Sequence, residues 1–275
     1  MAHPLRRLAD DAISTWRAMP KSQAMRWYGA ILRHAPTILR EGRLSSADRD
    51  MQGILRFSLL GRDVIVDNTT PGDGYPFLRE FFVRQVYFRE FNQLRFDTSL
   101  DLGCNIGQVS SFLMQLAGPQ GTVVGVDPLT YPDSAVRSRV SAIPGIKFHQ
   151  GLLCGELLRQ NPAVLHAIYD PYGFDSNLAL TVEELMNTYA LQHVDFVKMD
   201  VEGAEFNIFR DSVRWLDRVD NLAMEVHNAY GDSAEIIDRL QQEGFRVKWL
   251  DKAGYPAEAH DAGYVYASKI GSLKD

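Results

Sequence analysis

Residues 99–108 combine one acidic side chain with two glycines at a spacing that suits ligand binding. The segment reads Ser-Leu-Asp-Leu-Gly-Cys-Asn-Ile-Gly-Gln, so Asp101 ends an apolar strand and Gly103, Asn105 and Gly107 lie in the following turn. Glycine lets a backbone turn sharply and approach a ligand without a Cβ in the way. The helix that follows offers unpaired N–H groups to a carboxylate or a phosphate. This strand, turn and helix therefore predict a cofactor site.

The spacing within the turn separates two classes of cofactor. A dinucleotide-binding turn has the pattern Gly-x-Gly-x-x-Gly, whose backbone holds a pyrophosphate. Here the pattern is Asp-x-Gly-x-Asn-x-Gly, with a carboxylate on the strand itself. Asp101 would repel a pyrophosphate but attract the ammonium group of an aminoacyl tail. The turn therefore favours S-adenosylmethionine, which carries such a tail, and its four key residues are predicted to bind this cofactor.

Two further strand ends carry side chains that suit the nucleoside part of the same cofactor. Asp127 ends the next predicted strand and is followed by Pro128, which stops that strand. A carboxylate at this place in an open α/β sheet can accept hydrogen bonds from both ribose hydroxyls. Gln150 ends the third predicted strand, where its amide would contact the adenine edge. Asp127 and Gln150 are therefore predicted to bind the cofactor.

A second chemical signal is the segment Asp-Phe-Val-Lys-Met-Asp-Val-Glu-Gly-Ala-Glu at residues 195–205. Its apolar strand brings Asp200 to the carboxyl end of the sheet, where open α/β sheets bind their ligands. Glu202 and Glu205 open the next helix, where acidic residues also interact favourably with the helix dipole. We expect Asp200 and Glu202 to belong to a catalytic site, and the role of Glu205 stays open between these two possibilities.

The elements that position these residues alternate in type from residue 98 onward. Short apolar runs alternate with helical stretches, which indicates βαβ units and a mostly parallel sheet. Helices are predicted near residues 106–117, 133–142, 181–191, 205–216 and 233–243. Strands are predicted at Ser99–Cys104, Thr122–Asp127, Ile146–Gln150, Asp195–Asp200, Leu222–His227, Phe245–Asp251 and Gly263–Ser268. The predicted fold class is α/β, a Rossmann-like seven-stranded mostly parallel sheet with helices on both faces, plus a helical N-terminal extension.

Several of these segments together resemble a known family. Residues 101–107, 181–185 (Thr-Val-Glu-Glu-Leu) and 195–205 are similar, in order, to signatures of the FkbM-type methyltransferases, and Met-Glu-Val-His at 224–227 is similar to the strand that follows them there. The resemblance covers roughly residues 75–270. It implies a Rossmann-like domain that uses S-adenosylmethionine and usually methylates a hydroxyl of a natural product, a sugar or a related small molecule. Asp127 and Cys104 depart from the family pattern, which commonly has Glu and Ala there.

Methyl transfer to a hydroxyl benefits from a base that removes the hydroxyl proton, typically by a factor of ~10²–10⁴. His227 is the candidate base because it ends the fifth predicted strand, beside Asp200. Asp200 would orient the hydroxyl or the imidazole, or act as the base itself. The alternative for His227 is a structural histidine bonded to a backbone carbonyl at the strand end.

Other functions are consistent with parts of the pattern. Asp200, His227 and Asn228 could supply ligands to a divalent metal ion, but residues on separate strands form no ligand motif, so no metal is expected. A nicotinamide-dependent Rossmann oxidoreductase is disfavoured by the missing third glycine and by Asp101. A non-catalytic cofactor-binding protein is disfavoured by the acidic block together with His227. The sequence therefore favours an O-methyltransferase that acts on a small molecule.

Residues outside the motifs suggest two domains. Residues 1–70 are predicted to form a helical extension with a β-hairpin at 54–67, which would cap the active site or make a homodimer contact. Residues 71–275 are predicted to be the methyltransferase domain, in which 77–95 form an aromatic helix. Residues 151–180 break the alternation of strands and helices, and a loop of that length in a compact domain is usually functional. We expect it to be a lid or a substrate wall.

Charge and cysteine content limit the partners. The chain has a net charge of −6, whereas residues 1–43 carry eight Lys and Arg against three Asp and Glu, a balance of +5. An acidic body repels polyanions, so a nucleic acid substrate is not expected. The basic segment would touch an acidic partner or a membrane surface, or simply be a solvated helical face. Two cysteines, no apolar run of membrane length and no signal peptide favour a cytoplasmic protein.

Overall fold

Contacts within the chain divide it into two units, residues 1–89 and residues 90–275. The structure is a computed structural model that describes residues 4–69, 74–129 and 135–275. The boundary expected from the sequence lies after residue 70, so the segment from there to Arg89 groups with the helical extension. The separate roles expected of the two parts stay a prediction.

Helices and a hairpin make up the first unit. Its elements are α1 (Pro4–Ala18), α2 (Lys21–Arg33), α3 (Ala35–Glu41), α4 (Ser45–Asp48), β1 (Ile54–Leu59), β2 (Arg62–Asp67) and α5 (Gly74–Leu78). The predicted hairpin is confirmed, because β1 and β2 pair antiparallel from Ile54 opposite Asp67 to Leu59 opposite Arg62. A left-handed Gly61 makes its turn, as the glycine in the sequence predicts.

A buried ionic network holds the helices of this unit together. Asp11 accepts hydrogen bonds from Arg79 at 2.7 Å and from Arg84 at 2.7 and 2.8 Å. Asp48 accepts from Arg79 at 3.1 Å and from the indole nitrogen of Trp27 at 3.2 Å. Buried charges are tolerated only when they are paired and hydrogen bonded. The network therefore fixes α1, α2 and α4 against the segment that follows α5.

The predicted helix over residues 77–95 is wrong beyond Val83. α5 continues as one π-helical turn, Arg79–Val83, and then the chain leaves the helix, with Gln85 at a φ of 53°. A side-chain-bearing residue at positive φ is unfavourable within a helix. The turn lets Phe81 and Phe88 meet edge to face, with 5.2 Å between ring centroids. Aromatic packing therefore outweighs helical periodicity here, and both rings are buried.

A seven-stranded sheet organises the second unit. The strands of the sheet are β3 (Thr98–Leu102), β4 (Thr122–Asp127), β5 (Ile146–Gln150), β8 (Phe196–Met199), β9 (Asn221–Glu225), β10 (Arg246–Leu250) and β11 (Tyr264–Ser268). The other elements are α6 (Gln108–Ala117), α7 (Ala135–Ser141), β6 (Leu152–Leu153), α8 (Glu156–Arg159), α9 (Pro162–Tyr169), β7 (Ala179–Leu180), α10 (Val182–Thr188), α11 (Glu205–Phe209) and α12 (Ser233–Gln242). All seven predicted strands are confirmed, with ends shifted by at most two residues.

The order of the strands determines where a site can form. In space they run β10, β11, β9, β8, β3, β4, β5. β11 runs antiparallel to both of its neighbours, β9 and β10. The strands β9, β8, β3, β4 and β5 pair in parallel. In this sheet the last strand in sequence, β11, is antiparallel and lies between β9 and β10. The strand order of dinucleotide-binding folds has no such inserted strand. The carboxyl ends of the parallel strands share one edge, and the order reverses between β3 and β8, where ligands of such sheets bind.

Two helices predicted in the second unit end before their predicted bounds. The helix predicted at 181–191 is observed as α10, which ends at Thr188. The helix predicted at 205–216 is wrong beyond Phe209, because α11 ends there and a 3₁₀ turn follows at Arg214–Arg218. Asp211 accepts hydrogen bonds from the N–H groups of Ser212 and Leu157, and such side-chain bonds compete with a helix. The helix predicted at 133–142 is observed as α7, and residues 133–134 lie outside the described residues.

Residues 151–180 form a small folded layer instead of a structureless loop. β6 and β7 pair in parallel, and α8 and α9 lie between them in the chain. Leu152, Cys154 and Leu165 form a separate buried cluster. Asn161 caps α9 by accepting from the N–H of Val164 at 3.4 Å. A role of this layer as lid or substrate wall stays a prediction.

The core of the second unit forms around the parallel strands. β3, β4 and β8 are buried along nearly their whole length. Continuous burial of this kind is typical of a parallel sheet whose two faces are both covered. Among the residues that the structure describes, no helix combines the length and apolarity that crossing a membrane requires.

Candidate active site

The turns that follow β3 and β8 pack backbone against backbone. Gly103 is left-handed, with a φ of 75°, and a Cβ added there would lie 1.7 Å from the carbonyl oxygen of Asp200. The N–H of Asp200 in turn donates to the carbonyl of Leu102 at 2.9 Å. Only glycine permits so close an approach. The fold itself therefore requires glycine at position 103, whatever ligand the turn binds.

Gly107 closes the turn immediately before α6. Its φ is 85°, and a Cβ there would lie 2.4 Å from the ring of Phe148. Asn105, between the two glycines, is also left-handed, with a φ of 48°. Residues with side chains rarely adopt this conformation, and they concentrate where function constrains the backbone. The turn expected from the sequence is thus present with all its special backbone positions.

Asp101 lies fully buried behind the turn. Ser110 donates to its Oδ2 at 2.7 Å, and Lys198 Nζ lies 3.3 Å from its Oδ1. An internal lysine therefore balances its charge, whereas the sequence predicted a carboxylate open to the ligand. Within the described residues, Oδ1 makes no hydrogen bond of good geometry, so it keeps capacity to accept one. Direct contact of Asp101 with a cofactor stays a prediction.

Lys198 connects the two turns. Its Nζ donates to the carbonyl of Gly103 at 2.8 Å and lies 3.9 Å from Asp200 Oδ2. Burial alone would lower the pKa of Lys198, but the carboxylates of Asp101 and Asp200 outweigh burial and raise it. The amine therefore stays charged. Sequence reasoning assigned Lys198 no role, although a lysine inside an apolar strand requires a partner.

Arg137 covers the outer side of the same turn. It donates to the carbonyl of Asn105 at 2.9 Å, and its guanidinium lies 3.5 Å from the ring centroid of Phe148. Burial raises the pKa of the neighbouring Cys104 thiol to about 12, so this thiol stays protonated. Sequence reasoning missed Arg137 because α7 carries no motif.

Asp127 and Gln150 lie side by side at the ends of β4 and β5, where they are paired in register. Asp127 accepts hydrogen bonds from the N–H groups of Asn105 at 2.8 Å and Leu129 at 3.0 Å. Gln150 is exposed, and its amide donates to the carbonyl of Pro128 at 3.4 Å. Asp127 therefore joins the glycine turn to the neighbouring strand, and binding of a cofactor by Asp127 and Gln150 stays a prediction.

A buried glutamate fixes the ring of His227, which lies just beyond β9. Glu205 Oε1 accepts from the backbone N–H of His227 at 2.7 Å and lies 3.0 Å from Nδ1, while Oε2 accepts from the N–H of Gly203 at 2.8 Å. A carboxylate accepts, so Nδ1 keeps its proton in both charge states of the ring, and Nε2, which faces the site, is the nitrogen that gains or loses a proton. Burial lowers the pKa of His227, but Glu205 outweighs it and raises that pKa above its ordinary 6.5.

Asp200 and Glu202 approach the other nitrogen of the same ring. His227 Nε2 lies 3.2 Å from Glu202 Oε2 and 3.9 Å from Asp200 Oδ1. The ligand atoms of the three side chains lie within 4.8 Å of one another. Glu202 is 85% exposed and is left-handed at a φ of 52°. The cluster has the chemistry to receive a proton from a bound hydroxyl, or to hold a cation.

The predicted residues thus fall into two groups that share one edge of the sheet. The first is the glycine turn with its neighbouring strand ends: Asp101, Gly103, Asn105, Gly107, Asp127 and Gln150. The second contains Asp200, Glu202 and His227. The contact of Gly103 with Asp200, reinforced by Lys198, joins the two groups. Glu205, whose role the sequence left open, is the residue that orients His227.

Comparison with known proteins finds partial similarity to methyltransferases. Residues 159–247 match the family model of the methyltransferase FkbM domain. The match includes Asp200, Glu202 and His227, and the glycine turn lies outside it. A protein named methyltransferase 1 from Beauveria bassiana (strain ARSEF 2860) is 23% identical over an alignment of 183 positions, and the alignment covers 54% of this chain and 72% of that protein.

Solved structures with a similar arrangement include two further methyltransferases. A SAM dependent methyltransferase from Aquifex aeolicus has a TM-score of 0.34 and 14% identity, covering 66% of this chain and 87% of its own. A precorrin-6y C5,15-methyltransferase from Geobacter metallireducens GS-15 has a TM-score of 0.35 and 12% identity, covering 68% and 86%.

We expect Gly103→Ala to disrupt the fold, because the new Cβ would meet the Asp200 carbonyl and the residue would also be held at positive φ. The combined effect should lower the free energy of unfolding by about 3 kcal/mol or more, measured by urea denaturation. Gly173→Ala is the matched control, since Gly173 is left-handed with a φ of 83° and a ψ of 12° but has nothing within 4 Å of its Cβ position. Its cost should be about 1 kcal/mol. Equal losses in the two variants would contradict the contact.

Proposed function

We propose that this FkbM-type methyltransferase transfers the methyl group of S-adenosylmethionine to a hydroxyl of a small molecule, with His227 as the general base. The observation that carries the proposal is the pair of His227 and Glu205, in which a buried carboxylate leaves Nε2 directed at Asp200 and Glu202. A natural product or a sugar-like molecule is the acceptor we favour, because the family resemblance implies one.

The glycine turn fits the proposed cofactor. Gly103 and Gly107 hold the turn at positive φ immediately before α6, so its backbone N–H groups would face the carboxylate of an aminoacyl tail, and Asp101 Oδ1 would accept from the ammonium group. Asp101, Gly103, Asn105 and Gly107 would hold the aminoacyl end, while Asp127 and Gln150 would hold the ribose and the adenine. When bound, the cofactor supplies a methyl group already activated by its sulfonium. The chain has therefore mainly to position the acceptor and exclude water.

His227 would remove the proton of the acceptor hydroxyl at Nε2. Glu205 holds Nδ1–H, so the imidazolium that forms is stabilised by a buried carboxylate, as in other carboxylate–histidine pairs. Asp200 and Glu202 lie close enough to Nε2 to orient the hydroxyl and to stabilise the same positive charge. Because the base must be unprotonated, activity requires a pH at which His227 has lost its proton.

Two other functions remain as alternatives to be tested. A nicotinamide-dependent oxidoreductase is disfavoured by the turn pattern and by the antiparallel strand inserted into the sheet order. A non-catalytic cofactor-binding protein would have no need of the buried Glu205 beneath His227. The acidic body disfavours a nucleic acid substrate, and we further propose a cytoplasmic location and a part in natural product biosynthesis.

We expect Asp127→Ala to weaken binding of S-adenosylhomocysteine by roughly tenfold to a hundredfold, because a charged acceptor for the ribose hydroxyls is lost. His227→Ala should leave that affinity unchanged and lower turnover by a factor of ~10²–10⁴. Titration calorimetry measures the first quantity, and release of S-adenosylhomocysteine with a hydroxylated acceptor found by screening measures the second. Equal loss of binding in both variants would refute the role of His227, and tight NAD(P) binding alone would favour an oxidoreductase.

The pH dependence of His227 tests its pairing with Glu205. The pKa of His227 is raised above 6.5, so the imidazole loses its proton only above that pH, and turnover should rise with pH through the same range. Glu205→Gln should lower this pKa and shift the rise in turnover to lower pH. Glu235→Gln is the control, because Glu235 is 52% exposed and pairs with Arg210 at 2.8 Å, outside the cluster around His227. We would measure the pKa by NMR of the imidazole, and an unchanged value in Glu205→Gln would exclude the pairing.

The cluster of Asp200, Glu202 and His227 also has ligands that a divalent ion accepts. If His227 acts as a base, dialysis against a chelator should leave turnover unchanged, and added Mg²⁺ should not raise it. Loss of turnover after dialysis, restored by Mg²⁺, would assign the cluster to a metal ion and remove His227 from the role of base.

A further inference from the structure

The first three helices expose an unusual number of large apolar side chains. Thirteen such side chains are exposed in the described part of the chain, and five of them lie in α1–α3. Their exposed fractions run from 43% to 83%, and we call them the helical surface: Ile13, Trp16, Met25, Leu32 and Leu39. A soluble surface normally scatters such residues singly, and a concentration of them marks an interaction site.

These side chains point outward although the helices have a well-packed side. In α2, Ala24, Trp27 and Ala30 are fully buried. Met25 and Leu32 are seven residues apart, so they lie on one stripe of the helix, away from the buried residues. Their exposure is therefore a property of an amphipathic helix whose inner face is already occupied.

Trp16 brings α1 into the same surface. Its ring stacks on Tyr28 of α2, with 6.3 Å between centroids, and Lys21 Nζ lies 5.7 Å from the Trp16 ring. A partly exposed tryptophan beside a lysine is a combination found where proteins meet the headgroup region of a bilayer.

Basic residues flank the apolar ones. The exposed cations of this region are Arg17, Lys21, Arg26, Arg33, Arg40 and Arg43. Of the three acids among residues 1–43, Asp11 is buried against Arg79 and Arg84, so its charge does not offset the exposed cations. Arg40 pairs with Glu41 and Arg33 with Asp50, which still leaves more cations than acids on this surface. The surface therefore combines apolar side chains with excess positive charge, which is the composition of helices that bind at an anionic bilayer surface.

We propose that α1–α3 dock this unit onto the surface of a membrane that contains anionic lipid. The apolar side chains would enter the headgroup boundary while the arginines and Lys21 remain at the lipid phosphates. A homodimer through the same face is disfavoured, because a two-fold axis would bring two sets of like charges together. An acidic protein partner is also disfavoured. Its charges would pair with the cations but would not account for Leu32 and Leu39, which are 76% and 83% exposed.

The test is co-sedimentation of the 275-residue chain with vesicles of phosphatidylcholine alone or of phosphatidylcholine mixed with phosphatidylglycerol. We expect binding only to the mixed vesicles, weakening as salt is raised. Leu32→Ser should weaken it on the order of tenfold, because an apolar side chain no longer enters the boundary. Arg17→Glu should also weaken it roughly tenfold or more, since each basic residue near such a surface contributes about fivefold.

Matched variants in the second unit serve as controls. Leu157 is 70% exposed and Arg214 is exposed, so Leu157→Ser and Arg214→Glu make the same chemical changes outside the helical surface and should leave binding unchanged. Equal sedimentation with both kinds of vesicle, or equal effects of Leu32→Ser and Leu157→Ser, would overturn the proposal. A concentration-dependent dimer abolished by Leu32→Ser would assign the surface to a second copy. If the chain binds polyglutamate and Leu32→Ser does not weaken that binding, the helical surface would be assigned to an acidic protein partner.

Discussion

The close approach of Gly103 to the carbonyl of Asp200 is the constraint on which the site depends. It places the end of β3 directly against the end of β8, with no side chain between them. Lys198 connects the two strand ends at the same junction, because its Nζ donates to the Gly103 carbonyl and pairs with Asp101. Because the Lys198 amine and the Asp101 carboxylate are enclosed together, the junction behaves as one unit. The turn proposed to hold the cofactor and the residues proposed for catalysis therefore cannot move independently.

The second half of the site depends on a different kind of support. Glu205 is completely buried, yet both its oxygens accept N–H groups from the site itself. A buried carboxylate without such partners would be costly. These bonds fix the direction of the His227 ring, and they also tie the start of α11 to the end of β9. The sequence pattern left the role of Glu205 open between the site and a favourable interaction with the helix dipole. The structure shows that Glu205 orients the ring of His227.

The sequence predicts the strands and the turn well because each leaves a local signal. Gly103 and Gly107 can be identified in advance because positive φ and close contacts restrict those positions to glycine. The pairing of Glu205 with His227 has no local signal, since it joins residues on adjacent elements that are distant in the chain. The same is true of Asp101, whose charge looked available to a ligand until the position of Lys198 was known. Beyond Val83, contacts among aromatic rings decided the backbone, and helical periodicity could not reveal them.

The position of β11 has a consequence for how the second unit assembles. β11 is the last strand in sequence, yet it lies between β9 and β10 in the sheet. β10 therefore pairs with the sheet through β11, which is synthesised after it. During synthesis, β10 would have its backbone groups unpaired until the residues up to Ser268 leave the ribosome. The edge of β9 is uncovered for the same interval. Closure of the sheet is therefore a late event, and a chain cut short before residue 264 would lose two strands while deleting only one.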